Sequence, residues 1–292
     1  MKGPSAPVVV GVDGSSSALA AVRWAAADCA RHHTPLRLVH GYSLPTRGYP
    51  EIVLTGNEVR RAIEEQAQDW LTEAVAAARA VAPGVEVTTE VVGDAVNHLL
   101  IEESRDARLM VLGSQGLGNV TGLLVGSTAL ALASHGKCPL VVVRGAEVPG
   151  GPVVAGVDGS PTSEAALAFA FEAASMRECP LTVVMCWQDF MVESAYTATP
   201  LTVDWGQVES EEQRLLAQRL AGWQEKYPDV PVHRVVVRDR PVRALMRYGA
   251  EARLVVVGSH GHGGFAGMLL GSTSQALVYN APCPLAIVRP AE

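Results

Sequence analysis

ARLVVVGSHGHGGFAGMLLGSTSQAL, residues 252–277, is the stretch that decides the fold of this chain. It opens with a largely β-branched apolar run, Arg253–Val257, which is typical of a strand covered on both faces. Several glycines follow, and Ser272 and Thr273 then introduce a segment that can form a helix. Glycine lets a backbone approach a ligand closely, and the amino-terminus of a helix favours negative charge. A strand, a glycine-rich loop and a helix in this order therefore suit a phosphate group.

The same pattern occurs earlier, at residues 107–132, as ARLMVLGSQGLGNVTGLLVGSTALAL. Matched residues lie 145 positions apart, and they are Gly113 and Gly258, Gly116 and Gly261, Gly126 and Gly271, Ser127 and Ser272, and Thr128 and Thr273. The offset extends beyond the loops, because GVDGS at residues 11–15 returns at 156–160. An unbroken register of this kind indicates duplication of a complete domain. We expect a first domain over residues 1–146 and a second over 152–292, joined by a loop near 145–152.

Composition narrows the class of protein. The net charge of −7 and the pI near 5.6 argue against a nucleic-acid-binding protein, which needs a basic face. Five cysteines lie far apart and form no CxxC pair, which is the usage of a reducing compartment. The amino-terminus lacks the shape of a signal peptide, and no apolar run reaches the ~20 residues of a membrane span. We therefore expect a soluble cytoplasmic protein without a nucleic-acid or membrane partner.

Each half alternates strands with helices, which predicts a doubly wound parallel sheet of the α/β class. In the first half the predicted strands are 7–13, 36–40, 85–92, 109–112 and 140–143, and the predicted helices are 16–33, 58–81, 96–104 and 128–134. Two long loops, 42–57 and 188–208, occupy the same place in each half. Such loops can be lids or partner surfaces, and a variable surface connection is an equally good interpretation.

Asp13 and Asp158 each end the first strand of a half. Ligands of doubly wound sheets bind beyond the carboxyl ends of the strands, where a carboxylate can accept ribose hydroxyls. The alternative is a turn or capping residue. Pro161 suits the first helical position, which makes Ser160 the natural N-cap and favours ribose binding by Asp158.

The polar residues of the two loops also have competing interpretations. Ser127 and Thr128, like Ser272 and Thr273, can contact phosphate or can simply cap a helix. His260 and His262 can help to hold phosphate, whereas the matching residues of the first half, Gln115 and Leu117, carry no charge. A metal pair or histidines without a role are the alternatives, but two ligands alone do not make a metal site.

Several enzyme signatures are missing from the sequence. It contains no GxxxxGK[ST] phosphate loop, no GxGxxG turn after a first strand, no GxSxG elbow and no HExxH motif. No nucleophile–base pair is evident, so no catalytic residue is predicted.

With its paired VVVGVDGS and VVAGVDGS strands and its two G-x-x-G-x9-G-S loops, the chain resembles tandem universal stress proteins of the kind common in actinobacteria. The resemblance covers nearly the whole chain. It implies two tandem doubly wound five-stranded parallel sheets of strand order 3-2-1-4-5, an adenine nucleotide alpha hydrolase-like fold. In this order the switch point lies between the first and fourth strands, where Asp13 and Gly113 would converge.

The resemblance also implies ATP, with Mg²⁺ as an optional companion, as the ligand of each domain. Asp13 and Asp158 would contact ribose, and the backbone near Gly41 and Cys186 would read adenine. The full set of predicted contact residues is Gly11, Asp13, Gly41, Gly113, Gly116, Gly118, Gly126, Ser127, Thr128, Gly156, Asp158, Cys186, Gly258, His260, Gly261, His262, Gly263, Gly271, Ser272 and Thr273. Related loops often carry basic residues where this chain has Gln115 and Leu117, which sets the first site apart.

These features predict an ATP-binding regulator of a stress response with one nucleotide site per domain. An ATPase or phosphotransferase of the same fold is the alternative, and a pure interaction module without nucleotide is a third. We also expect a homodimer of tandem chains and an unknown downstream protein partner. The fifth strands, residues 140–144 and 285–289, are apolar almost throughout, and such open edges need cover. The sequence therefore predicts that these two strands pair with each other.

Overall fold

The computed structural model describes residues 5–43, 56–116, 126–187, 205–261 and 269–290. The chain forms two compact units, a first that ends at Arg144 and a second that runs from Gly145 to Pro290. The predicted site residues Gly118, His262 and Gly263 lie outside the described residues, as do most of the two predicted long loops.

The first unit is a five-stranded parallel sheet with helices between its strands. The strands are β1 (Val8–Gly11), β2 (Leu36–Gly41), β3 (Val87–Val92), β4 (Leu109–Gly113) and β5 (Leu140–Val143). The helices are α1 (Ser16–His32), α2 (Gly56–Val81), α3 (Val96–Glu103) and α4 (Ser127–His135). The strand order is β3-β2-β1-β4-β5, and all four neighbouring pairs are parallel. The α/β class and the order 3-2-1-4-5 predicted for this half are thus confirmed.

The second unit repeats this arrangement. Its strands are β6 (Val153–Val157), β7 (Leu181–Cys186), β8 (Val232–Val237), β9 (Leu254–Gly258) and β10 (Leu285–Val288). Its helices are α5 (Pro161–Met176), α6 (Trp205–Lys226), α7 (Pro241–Gly249) and α8 (Ser272–Asn280). The order is β8-β7-β6-β9-β10, again with parallel pairing throughout. Corresponding residues of the two units keep the offset seen in the sequence.

The core of each unit is built from the apolar strands and the inward faces of the helices. Strand β1 buries Val8, Val9 and Val10 completely, as expected for a strand with a helix layer on each side. Helix α1 buries its apolar stripe, which includes Val22 and Cys29. This packing fixes the carboxyl end of β1, from which the candidate site is built.

The predicted boundaries differ from the observed ones by a few residues. Strand β3 begins at Val87 rather than at residue 85, because the amide of Val85 donates to the carbonyl of Ala82 in a turn. Helix α4 begins at Ser127 rather than at Thr128. Across the described residues, no helix combines the length and the hydropathy required to span a membrane.

Candidate functional site

Each unit has a cavity at the carboxyl ends of its strands, at the point where the strand order reverses. In the first unit this point lies between β1 and β4, which are neighbours in the sheet although they are not consecutive in sequence. The cavity has a volume of about 270 Å³ in the second unit and about 260 Å³ in the first. Switch points of doubly wound sheets are the usual ligand sites of this architecture.

The cavities bring together most of the residues predicted from the sequence. Those that line the first cavity are Gly11, Asp13, Gly41, Gly113, Gly116, Gly126, Ser127 and Thr128. Those that line the second cavity are Gly156, Asp158, Cys186, Gly258, His260, Gly261, Gly271, Ser272 and Thr273. Residues separated by more than a hundred positions thus converge on one small space in each unit.

The strand-end aspartates use one carboxylate oxygen to shape the turn that follows. Asp13 Oδ1 accepts hydrogen bonds from the amide of Ser15 at 3.0 Å and from its hydroxyl at 2.6 Å. Asp158 Oδ1 accepts one from the amide of Ser160 at 3.0 Å. The interpretation of these aspartates as turn residues is therefore correct for Oδ1 in both units. A ligand would have to contact Oδ2.

The serines after these aspartates cap the first helix of each unit. The Ser15 hydroxyl accepts from the amide of Ala18, and the Ser160 hydroxyl accepts from the amide of Ser163. Pro161 is the first residue of α5, as predicted. Because the serines act as caps, the neighbouring aspartates are not needed for capping.

Oδ2 of each aspartate faces a glycine of the loop that follows the fourth strand. A β-carbon added to Gly116 would lie 2.7 Å from Asp13 Oδ2, and one added to Gly261 would lie 2.3 Å from Asp158 Oδ2. Both distances are shorter than a carbon–oxygen contact allows, so any other side chain would displace the carboxylate or the loop. The absence of a side chain at this point keeps the aspartate and the loop next to each other at the cavity.

A second contact joins the same loop to the first helix. The Ser17 hydroxyl donates to the carbonyl oxygen of Gln115, and the Thr162 hydroxyl donates to that of His260, the latter at 2.5 Å. Ser17 and Thr162 also lie within hydrogen-bond distance of the capping serines, at 3.1 and 2.8 Å between hydroxyl oxygens. The same chain of hydroxyl groups therefore supports the loop in both units.

The helices that follow the loops begin without a side-chain cap. Gly126 is the N-cap of α4 and Gly271 is the N-cap of α8, and neither N-cap has a side-chain capping hydrogen bond. Ser127 and Ser272 are therefore the first residues of their helices rather than caps. The amides of Gly126 and Gly271 donate to the carbonyls of Ser114 and Ser259, which closes the loop. The first-turn amide groups and the hydroxyl groups of these helices lie at the cavity, where both can donate to an anion.

The remaining walls of the cavities are largely apolar, and the sequence analysis did not identify these residues. In the first cavity they are Val12, Ala18, Val39, Val96, Leu100, Leu112 and Ala129, and in the second Val157, Val184, Pro241, Leu245 and Val257. The sequence signal that could have identified them is that wall residues of the two cavities match each other at the offset of 145 positions. Cys186 lies in the second wall, where burial, with a smaller effect of Asp239, raises the pKa of its thiol to about 11. The thiol is therefore protonated and unreactive at neutral pH.

Histidines distinguish the two cavities. His40 is buried in the wall of the first, where Nδ1 is 2.7 Å from the carbonyl oxygen of Val12 and the ring meets Trp70 edge-on at 5.4 Å. Its cavity position was not predicted. His260 lines the second cavity, where its Nδ1 is 3.0 Å from the Ser259 hydroxyl. Gln115 lines the first cavity at the equivalent position. Within the described ranges, no three His, Cys, Asp or Glu side chains converge as a metal site would require.

The fold and these cavities define a tandem protein of the nucleotide alpha hydrolase-like α/β class. A model of the universal stress protein family matches residues 5–144 and 151–289. The chain therefore belongs to the universal stress protein family.

Relatives and solved structures agree with this assignment. A universal stress protein of Mycolicibacterium smegmatis is 41% identical over 294 residues, which cover 97% of each chain. A universal stress protein of Mycobacterium tuberculosis is 42% identical over 293 residues, which cover 97% of this chain and 96% of the relative. A crystal structure of a universal stress protein from Archaeoglobus fulgidus has the same fold, with a TM-score of 0.71 at 18% identity over 97% of this chain and 98% of that one.

Proposed function

We propose that each unit binds one ATP molecule in its switch-point cavity and that the chain acts as a nucleotide-dependent regulator in a stress response. One observation supports this proposal. In each unit the carboxylate of a strand-end aspartate lies against a loop glycine. The helix that follows this loop begins without a side-chain cap. Because the two cavities are built from matched residues, we expect them to bind two equivalent ligands.

The phosphate part of the proposal rests on the loops and helix termini. The first amide groups of α4 and α8 have no intrahelical partner, and no side chain caps them. Together with the hydroxyls of the Ser-Thr pair in each unit, they form a set of hydrogen-bond donors at one end of the cavity. Such a set favours a polyphosphate over a neutral ligand.

The ribose and adenine parts rest on the strand-end aspartates beside the loop glycines and on the residues at the ends of the second strands. A carboxylate oxygen such as Asp13 Oδ2 or Asp158 Oδ2 can accept two ribose hydroxyl hydrogen bonds. The apolar walls suit a planar base, which is bound mainly by burial of its faces. At the ends of β2 and β7, Gly41 and Cys186 border this space, so their backbone groups can read the edge of adenine.

Binding is favoured over turnover by the composition of the cavities. Among the residues described around them, the strand-end aspartates are the carboxylates in the walls, and each already shapes a turn. Phosphoryl transfer needs a positioned nucleophile and usually Mg²⁺ held by acidic side chains. ATP, with Mg²⁺ as an optional companion and without efficient hydrolysis, is therefore the state we propose.

The test is to identify and count the nucleotide. Mass spectrometry of the small molecules released from freshly purified protein should detect adenine nucleotide, and calorimetry with ATP, with and without Mg²⁺, should give two sites per chain. Gly116→Glu and Gly261→Glu should each remove one site, because a carboxylate would be forced against Asp13 or Asp158. Gly222→Glu is the matched control, since nothing lies within 4 Å of a β-carbon there.

Three outcomes would count against the proposal. A protein without released nucleotide and without ATP binding is a pure interaction module. Efficient, time-dependent ADP production would make it an ATPase. Equal loss of binding in the Gly222→Glu variant would show that the glycine effects are not local.

The same proposal includes a homodimer of tandem chains, a cytoplasmic location and a downstream protein partner. Light scattering tests the first of these, with an expected mass of twice the 30.7 kDa chain. A mass equal to one chain at micromolar concentration would exclude the homodimer.

A further inference from the structure

Helix α7 of the second unit carries a stripe of exposed arginines that the nucleotide proposal does not use. Arg240 is the N-cap of this helix, and Arg243 and Arg247 follow at the spacing that places side chains on one helical face. Arg238 lies three residues before Pro241, the first residue of the helix. All four are exposed, and we name them the arginine stripe. They stand out in a chain whose net charge is −7.

The stripe faces away from the unit. The opposite side of α7 buries Ala244 and Leu245, and Leu245 is also part of the wall of the second cavity. From Arg240 to Arg247 the helix rises about 10 Å. An extended peptide places alternate side chains roughly 7 Å apart, so two or three of its side chains could meet the stripe at once.

The stability of the helix does not account for Arg240 and Arg243, whereas Arg247 in the last turn suits the helix dipole. Positive charges at the amino-terminus of a helix oppose its macrodipole, and Arg240 and Arg243 lie there. The equivalent helix of the first unit, α3, forms with Ala95, His98 and Glu102 at the matched positions. The fold therefore has no need of the arginines. Instead, the positive end of the helix dipole and the positive charges of the arginines both attract an anion.

Aromatic rings support the two ends of the stripe. The Arg247 guanidinium carbon is 4.9 Å from the centre of the Tyr248 ring, and its Nη2 donates to the Tyr248 hydroxyl at 3.3 Å. The Arg238 guanidinium carbon is 5.6 Å from the centre of the Trp187 ring. Stacking on a ring limits the motion of a guanidinium group, so less entropy is lost when it forms a bidentate contact.

One acidic residue lies within the stripe. Asp239 accepts from Arg243 Nε at 2.7 Å and from the amide of Arg240 at 2.6 Å. Burial opposes ionisation of Asp239, but these hydrogen bonds outweigh it and its pKa is lowered. The ionised carboxylate offsets one positive charge, so Arg240, Arg243 and Arg247 together keep a positive balance.

We propose that the arginine stripe docks an acidic peptide segment of a partner protein. Guanidinium groups match carboxylates bidentately, and arginine clusters are a recurrent means of recognising acidic segments. The stripe extends over about one Debye length at physiological salt, so a short acidic segment senses it while the rest of the negative chain is screened. A long nucleic acid would extend beyond the stripe along a chain whose net charge of −7 repels phosphates.

The experiment is a fluorescence anisotropy titration of the full chain with a labelled hexaglutamate peptide. Hexaglutamate should bind, and its affinity should fall between about 50 mM and about 300 mM salt. The triple variant Arg240→Gln/Arg243→Gln/Arg247→Gln should bind at least about tenfold more weakly, since three charge-assisted contacts are lost. Hexaglutamine should not bind either protein.

The matched control is Arg60→Gln/Arg61→Gln/Arg79→Gln on α2 of the first unit. It removes the same charge from exposed positions of a helix, and Arg61 pairs with Glu65 there as Arg243 pairs with Asp239. Its affinity for hexaglutamate should equal that of the parent chain. Circular dichroism and thermal unfolding of both triple variants should match the parent, because exposed substitutions rarely alter stability.

Three results would overturn the proposal. Hexaglutamate that does not bind the parent chain would exclude an acidic-peptide site. An equal loss of affinity in the control would show a non-specific charge effect. Tighter, stripe-dependent binding of a short single-stranded oligonucleotide, or of vesicles rich in anionic lipid, would assign the stripe to a different class of partner.

Discussion

Asp158 Oδ2 and the α-carbon of Gly261 are so close that a β-carbon at position 261 would lie 2.3 Å from the carboxylate oxygen. Asp13 and Gly116 repeat this relationship in the first unit, where the distance is 2.7 Å. The contact joins the end of the first strand to the loop after the fourth, and it therefore couples the two halves of each candidate nucleotide site. A side chain added at either glycine should therefore weaken ligand binding more than it destabilises the fold.

We expect Gly261→Ala to weaken ATP binding at the second site about tenfold or more, because the added methyl group must push Asp158 or the loop away. Gly116→Ala should have a smaller effect at the first site, since its β-carbon has slightly more room. Calorimetry on each variant gives both affinities. Gly222→Ala, with open space around its β-carbon, is the control. Alanine variants with unchanged affinity would show that the close contact has no part in binding.

The hydroxyl groups beneath the loop lead to a second prediction. Ser17→Ala removes the hydrogen bond to the carbonyl of Gln115 and should reduce ATP affinity at the first site about fivefold, the equivalent of about 1 kcal/mol. Ser16→Ala is the control, because Ser16 is the exposed neighbour of Ser17 on the same helix. If both variants bind ATP as the parent does, the hydroxyl does not position the loop.

Much of the fold could be predicted because the strands are short, apolar and duplicated. The run around Val255 and its counterpart near Val111 predict buried strands, and the resemblance to a family implies the strand order that the structure has. The convergence of Asp13 and Gly113, which line the same cavity, also followed from this order. The predicted pairing of the two fifth strands with each other stays a prediction.

Other parts of the site depend on contacts between residues that are far apart in the sequence, and no local sequence pattern indicates such contacts. Ser17 and Gln115 are 98 residues apart in sequence, and their contact exists only once β1 and β4 are neighbours. His40 reads as an ordinary strand-end residue until its ring is seen against Trp70. The signal that could have found Ser17 is its match with Thr162 in the duplicated register.

A buried ion pair provides a prediction about stability. Arg108 Nη1 is 3.3 Å from Asp28 Oδ2, with exposed side-chain fractions of 7% and 4%. Asp28→Asn should lower the free energy of unfolding by about 3 kcal/mol, because the Arg108 charge stays buried with weaker compensation. Glu65→Gln, which breaks the exposed pair with Arg61, should change it by less than about 1 kcal/mol. Urea unfolding measures both, and equal effects would contradict the expected role of burial.

The last prediction concerns the pH dependence of an exposed pair in the first unit. His98 Nδ1 is 2.6 Å from Asp94 Oδ2. The hydrogen bond and charge of Asp94 raise the pKa of His98, and the hydrogen bonds from His98 and from the Ala95 amide lower the pKa of Asp94. The raised pKa of His98 means that its contribution is complete below about pH 6.5 and is lost as the pH rises through the folded-state pKa. The contribution of Asp94 is present above about pH 4 and is lost as the pH falls.

The pair should therefore stabilise the first unit mainly between about pH 4 and about pH 6.5. In the second unit the matched residues are Asp239 and Arg243, and arginine keeps its charge as the pH rises further. Asp94→Asn should move the NMR titration midpoint of His98 towards lower pH, because the neutral amide no longer favours the imidazolium form. The midpoints of the other histidines in the same spectra serve as the control. A His98 midpoint that stays in place after Asp94→Asn would show that the two side chains do not form this pair in solution.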